Sequence, residues 1–296
     1  MSARAPLFLE TTGFDEYRLI DSGSGRKLER FGDVTLVRPE EQAIWTPRLA
    51  ELRWQAADAI FTGATEEEGT GRWQRRPGLG EEWHCRHGDL RFACRFTSFR
   101  HVGVFPEQEA HWRDLAKRVG ATGEPPAILN LFGYTGIASL VAAAAGARVT
   151  HVDASRKAIA WARENQALSG LEEKPIRWIC DDALKFAARE ARRGNRYCGI
   201  LLDPPKYGRG PKGEVWQLFE DLPFLVETCR AILSDRPLAM VLTAYSIRSS
   251  FFSIHGLVRD TFAGMGGRVE SGELIIREAS AGRALSTSLF SRWVAK

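Results

Sequence analysis

Two aspartates of this 296-residue chain each come directly after a short apolar run. Asp153 follows residues 147–152, and Asp203 follows residues 199–202. Apolar runs of this length predict buried strands, and ligands of open α/β sheets lie beyond the carboxyl ends of parallel strands. We therefore expect both carboxylates at one edge of a sheet. There Asp153 can accept hydrogen bonds from both hydroxyls of a ribose.

A glycine turn, Gly133-Tyr-Thr-Gly136, separates the strand predicted at 127–132 from a helix predicted at 136–145. Glycines allow the backbone to approach a ligand closely. Dinucleotide folds carry G-x-G-x-x-G to hold a pyrophosphate, but the third glycine is missing here and the bulky Phe132 and Tyr134 flank the turn. The pattern favours a nucleoside without pyrophosphate, such as S-adenosylmethionine (SAM), over NAD. An ordinary core turn of an α/β protein is the alternative.

The run Asp203-Pro-Pro-Lys-Tyr207 is the second candidate for chemistry. Pro204 and Pro205 fix the backbone, cannot extend a strand and leave carbonyl groups without local donors. Together with the carboxylate of Asp203, these carbonyls can hold a base amine or a ring edge, while Tyr207 offers a stacking face. Alternatively, Asp203 only caps the next element, and Lys206 is either solvated or placed to meet a phosphate.

The composition, 44% hydrophobic and 26% charged, is that of a globular protein. Residues 1–10 do not resemble a secretion signal, and no apolar run reaches the ~20 residues of a membrane span. The five scattered cysteines suggest neither a disulfide framework nor a zinc site. We expect a cytoplasmic protein without metal or membrane contact, with Cys180 and Cys198 in buried strands and Cys229 in a helix.

Arginines cluster at 72–76, 86–100 and 189–196, although the net charge is only +4. Such clusters are compatible with a polyanionic partner, and nucleic acid is favoured over a merely solvated surface. The histidines show no catalytic or metal-binding pattern, so we expect structural roles for them.

The pattern of residues 1–105 predicts a β-rich, antiparallel accessory domain that contacts the substrate. Strands are expected at 17–20, 34–38, 43–45 and 72–76, a helix at 47–60, and a hairpin within 82–100 that turns at Asp89. Residues 106–125 predict a linking helix, because apolar residues recur there at helical spacing.

Residues 126–296 alternate strands and helices. Strands are expected near 127–132, 148–152, 176–180, 199–203 and 237–244, and helices near 136–145, 155–169, 182–193, 214–233 and 250–263. Two last strands, near 268–277 and 285–295, suggest a closing hairpin. The prediction is an α/β fold: a Rossmann-like, doubly wound, mostly parallel sheet with a C-terminal antiparallel hairpin.

The motifs at 130–136 and 152–155, Asn165, the doublet Asp181-Asp182 and the run 203–207 together resemble the class I SAM-dependent methyltransferases. The resemblance covers roughly residues 100–245. It is strongest to the bacterial large-subunit ribosomal RNA methyltransferases, in the branch that includes the cytosine-C5 enzymes. It implies SAM as cofactor, and RNA methylation during ribosomal RNA processing as the activity.

The resemblance also implies roles for single residues. Asp153 would bind the ribose, and Asp182, or alternatively Asp181, the adenine amine. Asn165 is either a ligand or a capping amide. The expected cofactor-binding residues are Gln108, Asn130, Phe132, Gly133, Thr135, Gly136, Asp153, Ala154, Asp181, Asp182 and Asp203, and the expected catalytic residues are Asp203, Pro204, Pro205, Lys206 and Tyr207.

One position departs from the cytosine-C5 pattern. Those enzymes attack the base with a cysteine thiolate, and Ser246 stands where that cysteine is expected. A nitrogen or an oxygen is therefore also open as the target atom. A small-molecule methyltransferase and a SAM-binding RNA module without turnover remain alternatives. The sequence leaves the target nucleotide and the oligomeric state open.

Overall fold

The computed structural model describes residues 5–63, 71–245 and 249–296. They divide into two compact units. The first takes the described residues within Met1–Leu9, His111–Leu274 and Ser288–Lys296, and the second takes those within Glu10–Ala110 and Ile275–Thr287.

The N-terminal part of the chain consists mainly of short strands. They are β1 (Leu7–Glu10), β2 (Tyr17–Gly23), β3 (Arg26–Phe31), β4 (Val34–Pro39), β5 (Ala59–Thr62), β6 (Arg72–Arg75), β7 (Glu82–His87) and β8 (Leu90–Arg95), with helix α1 (Glu51–Gln55) between β4 and β5. Strands β2 to β6 form one sheet in chain order, and β7 pairs with β8. The predicted hairpin that turns at Asp89 is confirmed.

Three expectations for this part were wrong. The sheet is mixed, because β4 and β5 run parallel. Residues 43–45 form no strand. The helix predicted at 47–60 shortens to α1, because Ala59 and Ile60 pair with β4 and the carboxylate of Asp58 accepts a 2.8 Å hydrogen bond from the backbone nitrogen of Thr35. Tertiary pairing here overrides local helix preference.

A 3₁₀ helix, Pro106–Gln108, leads into the alternating part of the chain. Its helices are α2 (Glu109–Gly120), α3 (Ile137–Ala144), α4 (Arg156–Leu168), α5 (Ala183–Arg193), α6 (Leu218–Ala231) and α7 (Phe251–Thr261). Its strands are β9 (Ala127–Leu131), β10 (Arg148–Asp153), β11 (Ile176–Cys180), β12 (Gly199–Leu202), β13 (Tyr207–Arg209), β14 (Val215–Gln217), β15 (Ala239–Tyr245), β16 (Arg268–Arg277) and β17 (Ala284–Val294).

Eight strands form one sheet in the order β1-β16-β17-β15-β12-β9-β10-β11. The five strands from β15 to β11 are parallel, and β17 runs antiparallel to β15. From β9 the chain moves outward through β10 and β11, and then returns to β12 on the other side of β9. The order therefore reverses beside β9, which is where open α/β sheets bind their ligands. The predicted Rossmann-like architecture is confirmed.

Helices cover both faces of this sheet. Apolar residues of α5, α6 and α7, among them Phe186, Leu225 and Val258, pack in one core cluster with strand residues. Residues of α2 and α3, among them Leu115 and Ala142, pack in another. Because all four residues of β12 are buried, the end of this strand is held firmly in the core.

The hairpin β13–β14 was not predicted. Residues 215–217 were assigned to a helix starting at 214, but they pair with residues 207–209 and α6 begins only at Leu218. No helix of the described part of the chain has the length and apolar character needed to cross a membrane.

Candidate active site

The loop between β9 and α3 is tied to the end of β10. The backbone nitrogen of Gly133 donates to the Val152 carbonyl at 3.1 Å, and that of Tyr134 donates to Oδ2 of Asp153 at 2.9 Å. Phe132 and Tyr134 have φ angles of 57° and 51°. Bulky residues rarely adopt this left-handed conformation, and such strain concentrates at ligand-binding sites.

The two glycines of this loop serve packing inside the protein. A Cβ atom on Gly133 would lie 2.3 Å from Cε1 of His151. Gly136 has a φ of 85°, and a Cβ there would lie 2.9 Å from the Cβ of Ala162. A side chain at either position would collide with residues packed beneath the loop. Packing is therefore a second reason for glycine at these positions, beside the expected close approach of a ligand.

A buried polar network supports the loop from below. Nδ2 of Asn130 donates to Oγ of Ser139 at 2.9 Å, and this hydroxyl lies 3.0 Å from Nδ1 of His151. All three side chains are buried, and burial lowers the pKa of His151 to about 3, so its imidazole is neutral at physiological pH. The side-chain amide of Asn130 therefore ties β9 to α3, the two elements that flank the loop.

Asp153 is held by two backbone donors. Its Oδ2 accepts the bond from Tyr134, and its Oδ1 accepts one from the nitrogen of Ser155 at 2.8 Å. Burial raises the pKa of this carboxyl. Each carboxylate oxygen has a second lone pair, so the group can also accept hydroxyl donors from a ligand.

Asn165, whose role the sequence left open, lies fully buried on α4. Its Nδ2 donates to the carbonyl of Thr135 at 2.9 Å. The amide thus holds the last part of the glycine loop, a role that neither alternative described.

The doublet Asp181-Asp182 lies beside Asp153, because the nitrogen of Asp181 donates to the Asp153 carbonyl at 3.1 Å. Asp182 caps α5 by accepting a 2.8 Å bond from the nitrogen of Lys185. Asp181 accepts a bond from the nitrogen of Asp182 and forms an ion pair with Arg189. Both carboxylates therefore have structural partners at the edge where the adenine is expected, and Ala154 lies at the same edge.

The run that begins at Asp203 lies on the other side of the glycine loop, since β12 pairs with β9 in the register Leu202 to Leu131. Asp203 is half-buried, Pro204 is buried, and Pro205, Lys206 and Tyr207 are exposed. The prolines were expected to leave carbonyl groups without local donors, but a donor distant in the chain reaches one of them. The carbonyl of Pro205 accepts a 2.7 Å bond from Nε1 of Trp216, which comes eleven positions later in the chain.

Trp216 is a site residue that sequence analysis missed. It is 4% exposed, and its ring centroid lies 5.0 Å from that of Phe132. One side chain therefore touches both the glycine loop and the loop after Asp203. The sequence around it, Val215-Trp216-Gln217, is too short for a periodic pattern and gave no signal of this role.

The remaining predicted residues are spread over the chain. Gln108 ends the 3₁₀ helix in the second unit, and its contact with the cofactor stays a prediction. Ser246 lies outside the described residues. Cys180 and Cys198 are half-buried, not fully buried as expected, because Cys180 is the last residue of β11 and Cys198 lies just before β12. Cys229 is buried in α6. The described residues contain no group of three or more potential metal ligands.

Comparison with known proteins defines the class. No family model matches the chain. A crystal structure of a SAM-dependent methyltransferase from Agrobacterium tumefaciens is 58% identical, covers 99% of this chain and 95% of its own, and superposes with a TM-score of 0.95. The chain belongs to the SAM-dependent methyltransferases, so the predicted enzyme class and cofactor are confirmed.

Two more distant proteins extend the comparison. A methyltransferase crystallised with SAH has 15% identity and a TM-score of 0.72 over 96% of this chain and 76% of its own, which shows a shared fold. The ribosomal RNA large subunit methyltransferase K of Neisseria meningitidis serogroup B is 28% identical over 248 residues. The match takes in 80% of this chain and 66% of that protein, so the chain spans just under two thirds of its length.

Proposed function

We propose that this enzyme methylates a nitrogen of an RNA base, with ribosomal RNA as the favoured substrate. The observation that carries the proposal is the contact of Trp216 with both Pro205 and Phe132, because it fixes the run from Asp203 beside the glycine loop. The name of the Neisseria relative supports ribosomal RNA.

The cofactor assignments are part of the proposal. Asp153 would receive the ribose hydroxyls, since both of its oxygens are already oriented by backbone donors and keep further lone pairs. The adenine would lie at Ala154 and the doublet Asp181-Asp182. The methionine part would lie along the loop from Asn130 to Gly136, including Phe132, Gly133 and Thr135, with Gln108 covering the cofactor.

When bound, SAM supplies an electrophilic methyl group on a sulfonium. The protein has to align the accepting nitrogen with this methyl group and keep water out, more than to move protons. The carboxylate of Asp203 and the carbonyl of Pro204 would accept the hydrogens of a base amine and so orient its lone pair. Tyr207 is 52% exposed and would stack against the base, and Lys206 would meet a phosphate.

A cytosine-C5 target is less well supported. Carbon methylation of that kind needs a thiolate that adds to the base. All five cysteines are described, and none belongs to the loops at 132–136 or 203–206. Cys180 ends β11, where its thiol faces the carbonyl of Ala154 at 3.5 Å, on the adenine side of the site. A nitrogen of the base can attack the methyl group directly, so a nitrogen target does not require a thiolate that adds to the base.

An RNA base must leave its stack to reach this site, which favours a single-stranded or flipped target. We include residues 1–105 in the proposal as the accessory substrate domain, 106–125 as the linking helix and 126–296 as the SAM-binding domain. The arginine clusters give only weak support, because several members form ion pairs within the chain: Arg75, Arg76, Arg189 and Arg193.

The test is incubation of the protein with tritiated SAM and total RNA from a deletion strain, followed by mass spectrometry of the nucleosides. We expect tritium in ribosomal RNA and one N-methylated nucleoside that is missing from the deletion strain. Label in a small metabolite instead of RNA would favour the small-molecule alternative. Tight SAM binding and RNA binding without transfer would favour a module without turnover.

A further inference from the structure

We propose that the outer face of the hairpin β13–β14 binds the single-stranded RNA next to the target base. This hairpin face consists of Tyr207, Arg209, Val215 and Gln217, and it begins at Tyr207, which would stack against the target base itself. The inference rests on the proposed function and adds to it a specific substrate-binding surface.

The strand register defines the face. Tyr207 lies opposite Gln217, Gly208 opposite Trp216, and Arg209 opposite Val215. Directly opposed residues of an antiparallel pair point to the same side, and neighbours along a strand point to opposite sides. Because Trp216 points into the core, Tyr207, Arg209, Val215 and Gln217 point outward.

Two side chains of the hairpin face, one aromatic and one aliphatic, are exposed. Tyr207 and Val215 are each 52% exposed. Two strands of three residues are too short to be stable alone, and the buried Trp216 supplies the packing that holds them. The exposed side chains of Tyr207 and Val215 contribute little to the stability of the hairpin. Contact with a ligand would explain why an aromatic and an aliphatic side chain are exposed here.

The charges on the hairpin suit a polyanion. Lys206, Arg209 and Lys212 are cationic, and Arg209 has no ion-pair partner within the described parts of the chain. The single acidic residue, Glu214, is neutralised by Lys185 at 2.9 Å, and this hydrogen bond lowers the pKa of Glu214 to about 2. The hairpin therefore presents net positive charge beside exposed apolar groups.

The hairpin is also fixed relative to Asp203. The Trp216 indole binds the Pro205 carbonyl, the nitrogen of Leu218 donates to the Lys206 carbonyl at 3.0 Å, and Lys185 ties the turn to α5. A nucleotide on the hairpin face would therefore be held at a constant distance from the target base. Aromatic or apolar side chains beside cations are the surface on which single-stranded RNA stacks and neutralises its phosphates.

The test compares Arg209→Ala and Val215→Ala with two controls. Arg236→Ala removes an exposed arginine that precedes β15, at the opposite edge of the sheet, and Phe224→Ala removes an aromatic that is 54% exposed on α6. Binding is measured by anisotropy with a fluorescein-labelled, mixed-sequence single-stranded RNA at several salt concentrations. SAM affinity is measured by calorimetry, and kcat and KM are measured with total RNA.

We expect Arg209→Ala to weaken RNA binding about tenfold and to lower the salt dependence by about one phosphate contact. Val215→Ala should weaken binding about fivefold through lost apolar contact with the face of a base, without changing the salt dependence. Both should raise KM for RNA while leaving kcat and SAM affinity near wild type, and neither control should change RNA binding.

Wild-type RNA affinity in both hairpin variants would overturn the inference while leaving the proposed function intact, if the wild type methylates RNA. An equal loss in Arg236→Ala would also overturn it, since general charge would then explain the effect. A wild type that neither binds nor methylates RNA would overturn both proposals.

Discussion

The indole Nε1 of Trp216 donates a hydrogen bond of 2.7 Å to the carbonyl of Pro205, while the ring of the same residue packs against Phe132. The run from Asp203 and the glycine loop are therefore held by one side chain. In a reaction that depends on alignment, a small displacement of either loop lowers the rate. We regard Trp216 as a positioning residue.

Trp216→Phe tests this role, because it keeps an aromatic ring against Phe132 and removes only the indole donor. We expect kcat to fall while SAM affinity stays unchanged, with a loss of stability of about 1 kcal/mol for one hydrogen bond. Trp293→Phe is the matched control: Trp293 is also buried and donates to a backbone carbonyl, that of Gly266, at 2.8 Å. An equal fall of kcat in the Trp293→Phe control would show that Trp216 has only a structural role.

Asp153→Asn should weaken SAM binding about 10- to 100-fold, because a charged acceptor of hydroxyl bonds contributes about 1.5–3 kcal/mol. Asparagine keeps one acceptor for a backbone donor, so the loop should stay folded, which circular dichroism can verify. Unchanged SAM affinity by calorimetry would remove Asp153 from the site.

The pH dependence of SAM binding gives a second readout for the same residue. Burial raises the pKa of Asp153 above its ordinary value of 3.8, so its carboxylate takes up a proton at a higher pH than an exposed carboxyl does. SAM affinity of the wild type should therefore fall as the pH drops through this raised pKa. The Asp153→Asn variant has no carboxyl group to titrate at this position, so its SAM affinity should not show this decrease.

Asp203→Ala should abolish methyl transfer while SAM affinity stays within about tenfold, because we propose that Asp203 acts on the substrate and not on the cofactor. Transfer is measured with tritiated SAM and total RNA, and SAM binding by calorimetry. If cofactor binding and activity disappear together in a folded variant, Asp203 belongs to the cofactor half of the site.

Buried histidines should make the protein sensitive to mild acid. Burial lowers the pKa of His111 and His151 to about 3 each, and desolvation lowers that of the half-buried His101 to about 3 as well. Between that value and the unfolded pKa near 6.5, the unfolded chain binds protons that the folded chain excludes, so stability falls as the pH drops. Each histidine contributes up to about 1.4 kcal/mol per pH unit in this window.

His111→Leu tests this linkage, because neither ring nitrogen of His111 has a hydrogen-bond partner among the described residues. At neutral pH we expect unchanged or higher stability in urea unfolding. Near pH 5 the variant should exceed the wild type by about a further 2 kcal/mol. The same difference at both pH values would show that the histidine does not titrate as proposed.

RNA that contains a fluorinated or aza-cytosine should form no denaturation-resistant complex with this protein. Such bases trap a cysteine that attacks the ring, and the loops at 132–136 and 203–206 contain none. Gel electrophoresis under denaturing conditions detects the complex, and peptide mapping locates it. A trapped adduct on Cys180 or Cys198 would restore the cytosine-C5 target.

Local patterns were enough to predict most of the sheet. The apolar runs that became β9, β10, β11 and β12 are each followed by a turn or an acidic residue, and their alternation with helices specifies a parallel sheet. Because the carboxyl ends of such strands share one edge, Asp153 and Asp203 could be assigned to a common site before their contacts were known.

The tertiary structure decided what depends on partners distant in the chain. Strands β13 and β14 have three residues each, which is too short for a periodic signal in the sequence. They form because Trp216 donates a hydrogen bond to Pro205 and packs against Phe132. The sequence identifies Gly133 as a turn residue. That a side chain at this position would collide with His151 follows only from the pairing of β10 with β9. The helix predicted at 47–60 failed for the same reason, since pairing of Ala59 with Leu36 outweighs local preference.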